Sequence, residues 1–177
     1  MTKKIKIAQV GTNSMTHASQ TFASIRKQND IFDLIGVAEP IDEWKHNLNT
    51  PLSRDTPQYT VDELLRMDDL DAVAVETNEE FMTEYAQLFA DKGIAVHMDK
   101  PGSPDHAAFA KLARTLQEKN LPFHLGYMYR FNPLILRAYE KIAAGELGEI
   151  LSVEAQMNCF HNDHNRVWLG RHPGGMM

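Results

Sequence analysis

Apolar residues along this chain fall into short solid runs, and the runs alternate with stretches in which apolar positions recur every three or four residues. Ile5–Val10, Phe32–Ala38, Ala72–Val75, 94–98 and 122–127 are the solid runs, rich in Val, Ile and Ala. Their length and branching are those of strands buried on both faces. Between them, 16–27 has helical spacing at Ala18, Phe22 and Ile25, and 42–48 is a short helix candidate. Residues 52–58, flanked by Pro51 and Pro57, read as a loop. Thr60-Val61-Asp62-Glu63 is a capping box that opens a helix through Leu64, Leu65 and Met67. Residues 79–91 form a further helix, stopped by Gly93. Ser103 is expected to cap the next one, with Pro104 in its first turn and its end near Glu118. Strands alternating with helices in this way predict an α/β fold: a doubly wound parallel sheet with right-handed crossovers, covered on both faces.

The rhythm changes after Tyr127. Asn132-Pro133 starts a helix through Leu136, Tyr139 and Ile142 that ends near Gly145. Residues 150–157 alternate apolar and polar, which predicts a half-buried antiparallel strand. We place a domain boundary near Arg130, giving domains 1–129 and 130–177. The second is too short for an independent core by the usual size rule. The closing Gly174-Gly175-Met176-Met177 reads as the middle of a domain, so the second domain is expected to be incomplete.

Composition narrows the classes. Lys and Arg number 18 against 24 Asp and Glu, a net charge of −6, and no basic patch is visible. Nucleic acid is therefore not an expected partner. No apolar run approaches a membrane span, and the lysines at positions 3, 4 and 6 lead into no signal-peptide core. The single cysteine, Cys159, permits no internal disulfide and points to a reducing, cytoplasmic compartment.

Candidate chemistry gathers at the C-terminal ends of the strands, the edge where open α/β sheets bind ligands. The fourth run ends in Asp99-Lys100-Pro101. A lysine there offers a compact cation that can bond a substrate hydroxyl, although most strand-end lysines are solvated surface. The first run ends in Gly11-Thr12-Asn13-Ser14-Met15-Thr16-His17. Dinucleotide-binding turns carry three glycines here, and only Gly11 remains, with Asn13 and Thr16 near the other two places. The turn is either a cofactor turn, offering helix N-terminal amides to a pyrophosphate, or a plain strand–helix connection. Glu39 follows the second run, somewhat beyond the usual spacing of roughly 20 residues. An acid there accepts from both ribose hydroxyls and repels a 2′-phosphate, so NAD is expected rather than NADP. Glu76-Thr77-Asn78 ends the third run; Thr77 and Asn78 would touch the nicotinamide side of a cofactor or cap the following helix. His17 is a packed helix residue or a pyrophosphate neighbour. His161 and His164, with Asp163 between, favour substrate contact or surface over metal, and no metal site is expected.

Several segments together resemble the Gfo/Idh/MocA oxidoreductase family, the family of glucose–fructose oxidoreductase and inositol dehydrogenase. They are 6–11, Ala38-Glu39-Pro40, Leu70-Asp71-Ala72-Val73, Asp99-Lys100-Pro101, 126–133 (beginning Gly126-Tyr127 and ending Arg130-Phe131-Asn132-Pro133) and 145–150. The resemblance implies a Rossmann domain followed by an α/β domain with a large open sheet, often used for oligomer contacts. It implies hydride transfer between a nicotinamide cofactor and a hydroxyl of a sugar, cyclitol or related polyol. Lys100 would be the catalytic residue; Gly11, Thr12, Asn13, Ser14, Met15, Glu39, Thr77, Asn78, Asp99 and Lys100 would hold NAD. Lys100, Tyr127, Arg130, His164 and Trp168 would face the substrate. The chain departs from the family in its glycine turn and in Asp99, where the family has Glu. Gly174-Gly175 resembles the start of a motif whose Asp and His would follow Met177. The alternative is a non-catalytic ligand-binding or regulatory protein on the same fold.

Overall fold

The structure is a computed structural model that describes residues 3–156 and 158. It divides into two compact units, the first running to Gly126 and the second beginning at Tyr127. The first unit is built on a sheet of five strands: β1 Ile5–Val10, β2 Phe32–Ala38, β3 Ala72–Val75, β4 Ala95–Met98 and β5 Phe123–Leu125. All neighbours pair in parallel, in the order β2-β1-β3-β4-β5. The chain thus moves one way from β1 to β2, then crosses to the other side of β1 for the rest. The reversal opens a crevice between the C-terminal ends of β1 and β3, the position where doubly wound sheets take their ligands.

Two apolar layers hold the sheet. On one face α1, Ala18–Lys27, lays Ile25 against Ile7 and Ala74. On the other, the residues with the opposite parity (Ala8, Val10, Val73, Val75, Val96 and Met98) meet α2 Val61–Leu65, α3 Glu79–Asp91 and α4 His106–Glu118 through Leu64, Met82, Phe89, Leu112 and Leu116. Phe89, Met82, Leu112 and Leu64 are fully buried. Truncating a residue such as Phe89 to Ala would cost about 3–5 kcal/mol.

Local signals set most boundaries, and a few move. The capping box is formed: Thr60 Oγ1 accepts from the Glu63 amide while Glu63 reaches back to the Thr60 amide. The helix it opens stops at Leu65, short of Met67. Helix α1 begins at Ala18, because the Thr16 amide and hydroxyl both close on the Asn13 carbonyl and keep 13–16 in a turn. The cap of α4 is Asp105, not Ser103. Its carboxylate takes the amides of Ala107 and Ala108, and Ser103 supports it by accepting from the Asp105 amide. Pro104 therefore precedes the helix.

The second unit holds a 3-10 turn, Met128–Phe131, and α5, Pro133–Ala143, capped by Asn132. Gly145 ends the helix at φ +72°, as its place predicted. Residues 150–156 form no strand. Alternation alone does not make one: a strand needs a neighbour to take its backbone groups, and none pairs with it among the described residues. The expected antiparallel sheet is therefore not seen there.

At the N-terminal end of the sheet, Asp71 ties β1 to β3. Its carboxylate accepts from the Lys6 amide at 2.9 Å and from Lys3 Nζ at 3.3 Å. The Lys6 amide, above all, holds this carboxyl below its ordinary value, with Lys3 adding to the effect. A carboxyl with a lowered folded-state pKa stabilises the fold above its unfolded value, and that contribution disappears as the pH falls through the folded value. We therefore expect Asp71→Asn to shrink the loss of stability between pH 7 and pH 3 in urea unfolding. An unchanged difference would show that Asp71 has no part in acid unfolding.

Candidate active site at the reversal of the sheet

The crevice between β1 and β3 starts from one glycine. Gly11 has φ +98°, and a Cβ on it would lie 2.4 Å from the Glu76 carbonyl carbon and 2.5 Å from the Thr77 nitrogen. No other residue fits, because the backbone of the β3 end occupies the space of a side chain. The amide of Gly11 donates to the Ala38 carbonyl and that of Glu76 to the Val10 carbonyl. The ends of β2, β1 and β3 are thus locked together where the chain turns into 12–17.

The turn itself is braced by side chains. Glu39 is buried, and one of its oxygens accepts from the Thr12 amide at 2.5 Å and from the Thr12 hydroxyl at 2.7 Å. The other accepts from the Ile41 amide at 2.8 Å. Asn13, with no exposed surface, turns its Nδ2 to Asn78 Oδ1 at 2.8 Å and takes the Met15 amide on its Oδ1. Asn78 Oδ1 also accepts from Trp44 Nε1 at 2.8 Å. Trp44 lies in the 3-10 helix Asp42–Asn49, whose Asn47 donates to the Thr12 carbonyl at 2.7 Å. Polar side chains thus replace the missing glycines by tying the turn to β2, β3 and the 3-10 helix.

This arrangement fits a dinucleotide, with a difference from the glycine-rich form. A second glycine serves to let the backbone approach the pyrophosphate. Asn13 satisfies that requirement by facing inward, which leaves the outer lip to exposed Ser14. The amides of Thr12, Met15 and Thr16 already have protein partners, so fewer remain for an anion than in a bare helix start. A carboxylate has about four acceptor positions, and three of those on Glu39 are filled by Thr12 and Ile41. Bidentate capture of a ribose by Glu39 therefore requires the Thr12 hydroxyl to turn aside.

Asp99 and Lys100 follow β4 on the same edge. Asp99 is buried and accepts from its neighbour's Lys100 amide at 2.7 Å, while its oxygens lie 3.0 and 3.2 Å from His17 Nδ1. His17 is thus the residue before α1, pinned to the β4 end. Gly126 makes room for this carboxylate: a Cβ there would lie 2.9 Å from Asp99 Oδ1. Lys100 is half-buried, joined to Pro101 by a cis peptide, and its ammonium has no hydrogen bond or ion pair among the described residues. Thr77 is buried, and among the described residues its hydroxyl bonds only the Asn78 carbonyl; neither Thr77 nor Asn78 caps α3 with its side chain.

The first unit therefore brings Gly11, Thr12, Asn13, Ser14, Met15, Glu39, Thr77, Asn78, Asp99 and Lys100 to one edge of one sheet. Tyr127 and Arg130 lie in the second unit, on its 3-10 turn. His161, His164, Trp168 and Cys159 lie outside the described residues. No group of three metal-ligating side chains converges among the described residues, and none of their helices is long and apolar enough to cross a membrane. Sequence reading missed Trp44, Asn47 and the carboxylate–imidazole pairs. The available signal was polar side chains, Gln9 and His97, inside otherwise apolar strands.

Comparison with known proteins agrees with this fold. Residues 5–127 match the family described as an oxidoreductase family with an NAD-binding Rossmann fold, GFO_IDH_MocA. The uncharacterized oxidoreductase YhhX of Escherichia coli K12 is 32% identical over 114 residues, covering 64% of this chain and 32% of that protein. D-xylose 1-dehydrogenase (NADP(+)) 2 of Haloferax volcanii is 30% identical over 95 residues, 54% of this chain and 29% of that protein. The chain thus spans about a third of these relatives. Scyllo-inositol dehydrogenase of Lactobacillus casei, solved with NAD(H) and scyllo-inositol, superposes with a TM-score of 0.71 at 22% identity. The match covers 84% of this chain and 43% of that one.

We expect Gly11→Ala to collapse this edge, since the β1–β3 contact leaves no space for a methyl group. The variant should lose several kcal/mol of stability in denaturant unfolding. A stable variant would mean that the two strand ends are not in contact.

Proposed function

Because the chain belongs to this NAD-binding oxidoreductase family, we propose that it is the cofactor-binding part of a dehydrogenase. That enzyme moves hydride between a nicotinamide cofactor and a hydroxyl of a sugar, cyclitol or related polyol. The observation that carries the reading is the placement of Lys100: a half-buried ammonium without a protein partner among the described residues, at the ligand-binding edge, next to a buried carboxylate. The names of the relatives support the same class. A purely regulatory role has no such feature in its favour.

The roles follow from the geometry. The nicotinamide, when bound, supplies the hydride acceptor for alcohol oxidation. Lys100 donates a hydrogen bond to the reacting oxygen and stabilises the negative charge that grows on it as its proton passes to a base, a charge that hydride transfer then consumes in forming the carbonyl. Asp99 fixes the strand end by holding the Lys100 amide and His17. Thr12 to Met15 meet the pyrophosphate, and Glu39 meets the ribose. A buried carboxylate at that place disfavours a 2′-phosphate, so NAD is the proposed cofactor, although one relative's name specifies NADP. Tyr127 and Arg130 belong with the substrate side, together with His164 and Trp168. We also place residues 130–177 in a substrate and oligomer-forming domain, and the protein in the cytoplasm, where a single cysteine stays reduced.

Lys100→Ala tests the central role. In the intact enzyme it should leave NADH binding nearly unchanged and lower kcat by about 10²-fold or more, the scale of one positioned proton-transfer or oxyanion group. Wild-type turnover in the variant would reduce Lys100 to a structural residue.

A further inference from the structure

One buried side chain at the crevice, Trp44, has no part in the roles above. Trp44 belongs to the segment after β2 and Asn78 to the segment after β3, and β1 lies between those two strands. A contact between the two residues therefore passes over the end of β1, where the strand order reverses and a dinucleotide has to lie. That contact is made: Trp44 Nε1 donates to Asn78 Oδ1 at 2.8 Å. The same oxygen accepts from Asn13 Nδ2, also at 2.8 Å, so the turn after β1 is joined to it from below. Trp44 and Asn78 are each 6% exposed. Trp44 is also the one buried residue of its 3-10 helix, whose other residues are exposed or half-buried. The helix thus lies on the surface and sends a single large ring inward, across the crevice.

The ring is placed so that it can leave without disturbing its backbone. The Trp44 amide donates to the Ile41 carbonyl at 3.0 Å, and its carbonyl lies 3.3 Å from Thr12 Oγ1. The indole itself is held by one polar contact, the bond to Asn78. Rotation about the side-chain bonds of Trp44 breaks that bond alone, and Asn78 Oδ1 keeps Asn13 as a donor, so no buried acceptor is orphaned. The Thr12 hydroxyl couples the ring to the ribose site. It has one proton and two acceptors in reach, Glu39 Oε2 at 2.7 Å and the Trp44 carbonyl at 3.3 Å. When a ribose takes the Glu39 oxygen, that proton turns to the Trp44 carbonyl and anchors the backbone from which the ring swings.

We propose that Trp44 is a side-chain gate on the dinucleotide site, shut in the ligand-free protein by its bond to Asn78 and displaced when the cofactor binds. The proposal rests on the cofactor reading above, since the indole crosses the space between the proposed ribose site at Glu39 and the pyrophosphate turn at Thr12 to Met15. Only molecules with the ring turned out accept the cofactor, so the observed dissociation constant is the intrinsic one divided by the open fraction. Trp44 thereby sets the apparent affinity for the cofactor without a bond to it. Weakening the closed state raises the open fraction and tightens binding, the opposite of what loss of a ligand contact or of a structural support would do.

The test needs no turnover. Trp44→Phe keeps an aromatic ring and removes the N–H that closes the gate. In the intact protein it should lower the dissociation constant for NADH by about three- to tenfold, the range of one net hydrogen bond. A second measurement uses the unaltered residue and decides alone if Trp44→Phe fails to fold. In protein labelled with ¹⁵N-tryptophan, the Trp44 indole proton, told from that of Trp168 by Trp168→Phe, should exchange slowly with solvent in the ligand-free state and about tenfold or more faster at saturating NADH. NADH binding that is unchanged or weaker in Trp44→Phe, an indole proton as well protected with NADH as without, or no NADH binding by either protein would each overturn the gate. Failure of the dehydrogenase reading would appear separately, as a protein that binds NADH with these changes but moves no hydride to or from a polyol.

Discussion

The contact between Gly11 and the peptide joining Glu76 to Thr77 governs the rest of this molecule. It brings the ends of β1 and β3 closer than any side chain allows, at the one place where the order of strands reverses. The direction in which the chain leaves β1 follows from it. So do the inward turn of Asn13, its bond to Asn78, and the start of α1 above the crevice. The apolar layers on the two faces supply most of the stability by burial; this contact decides where that stability is used to hold a ligand.

Around it the protein has exchanged flexibility for bracing. A turn with three glycines presents free amides and bends at little cost. Here Glu39, Asn13, Asn78, Trp44 and Asn47 occupy many of those backbone groups and fix the turn from three sides. Such a turn is organised before a ligand arrives, which lowers the ordering cost of binding. It also offers fewer donors to phosphate. The carboxylate–imidazole contacts extend the same habit across the sheet, with His17 on Asp99 and His97 on Glu76.

Much of the fold was legible because two periods suffice to write it. Solid apolar runs gave the five parallel strands, and spacing at three and four gave the helices between them. Gly11, Glu39 and Lys100 stood out because their positions at strand ends carry meaning without a structure. Partnerships across the sheet were less accessible. That Glu39 would accept from Thr12, that Trp44 would reach Asn78, or that His97 would lie between Glu76 and His124 depends on strand order and register. Small competitions between neighbouring caps were also hidden: Asp105 displaced Ser103 because its carboxylate reaches two amides at once. Residues 150–156 show the converse, since an alternating pattern specifies a face but not the neighbouring strand that would complete it.

Binding of the cofactor tests the account most directly, because every role assigned to the crevice presupposes it. NADH fluorescence, titrated with the intact protein and compared with NADPH, should show saturable binding that is tighter for NADH. Absence of binding at millimolar NADH would contradict the account. The braced turn at Gly11 would then be a closed structural joint, and Lys100 would have no hydride acceptor to work beside.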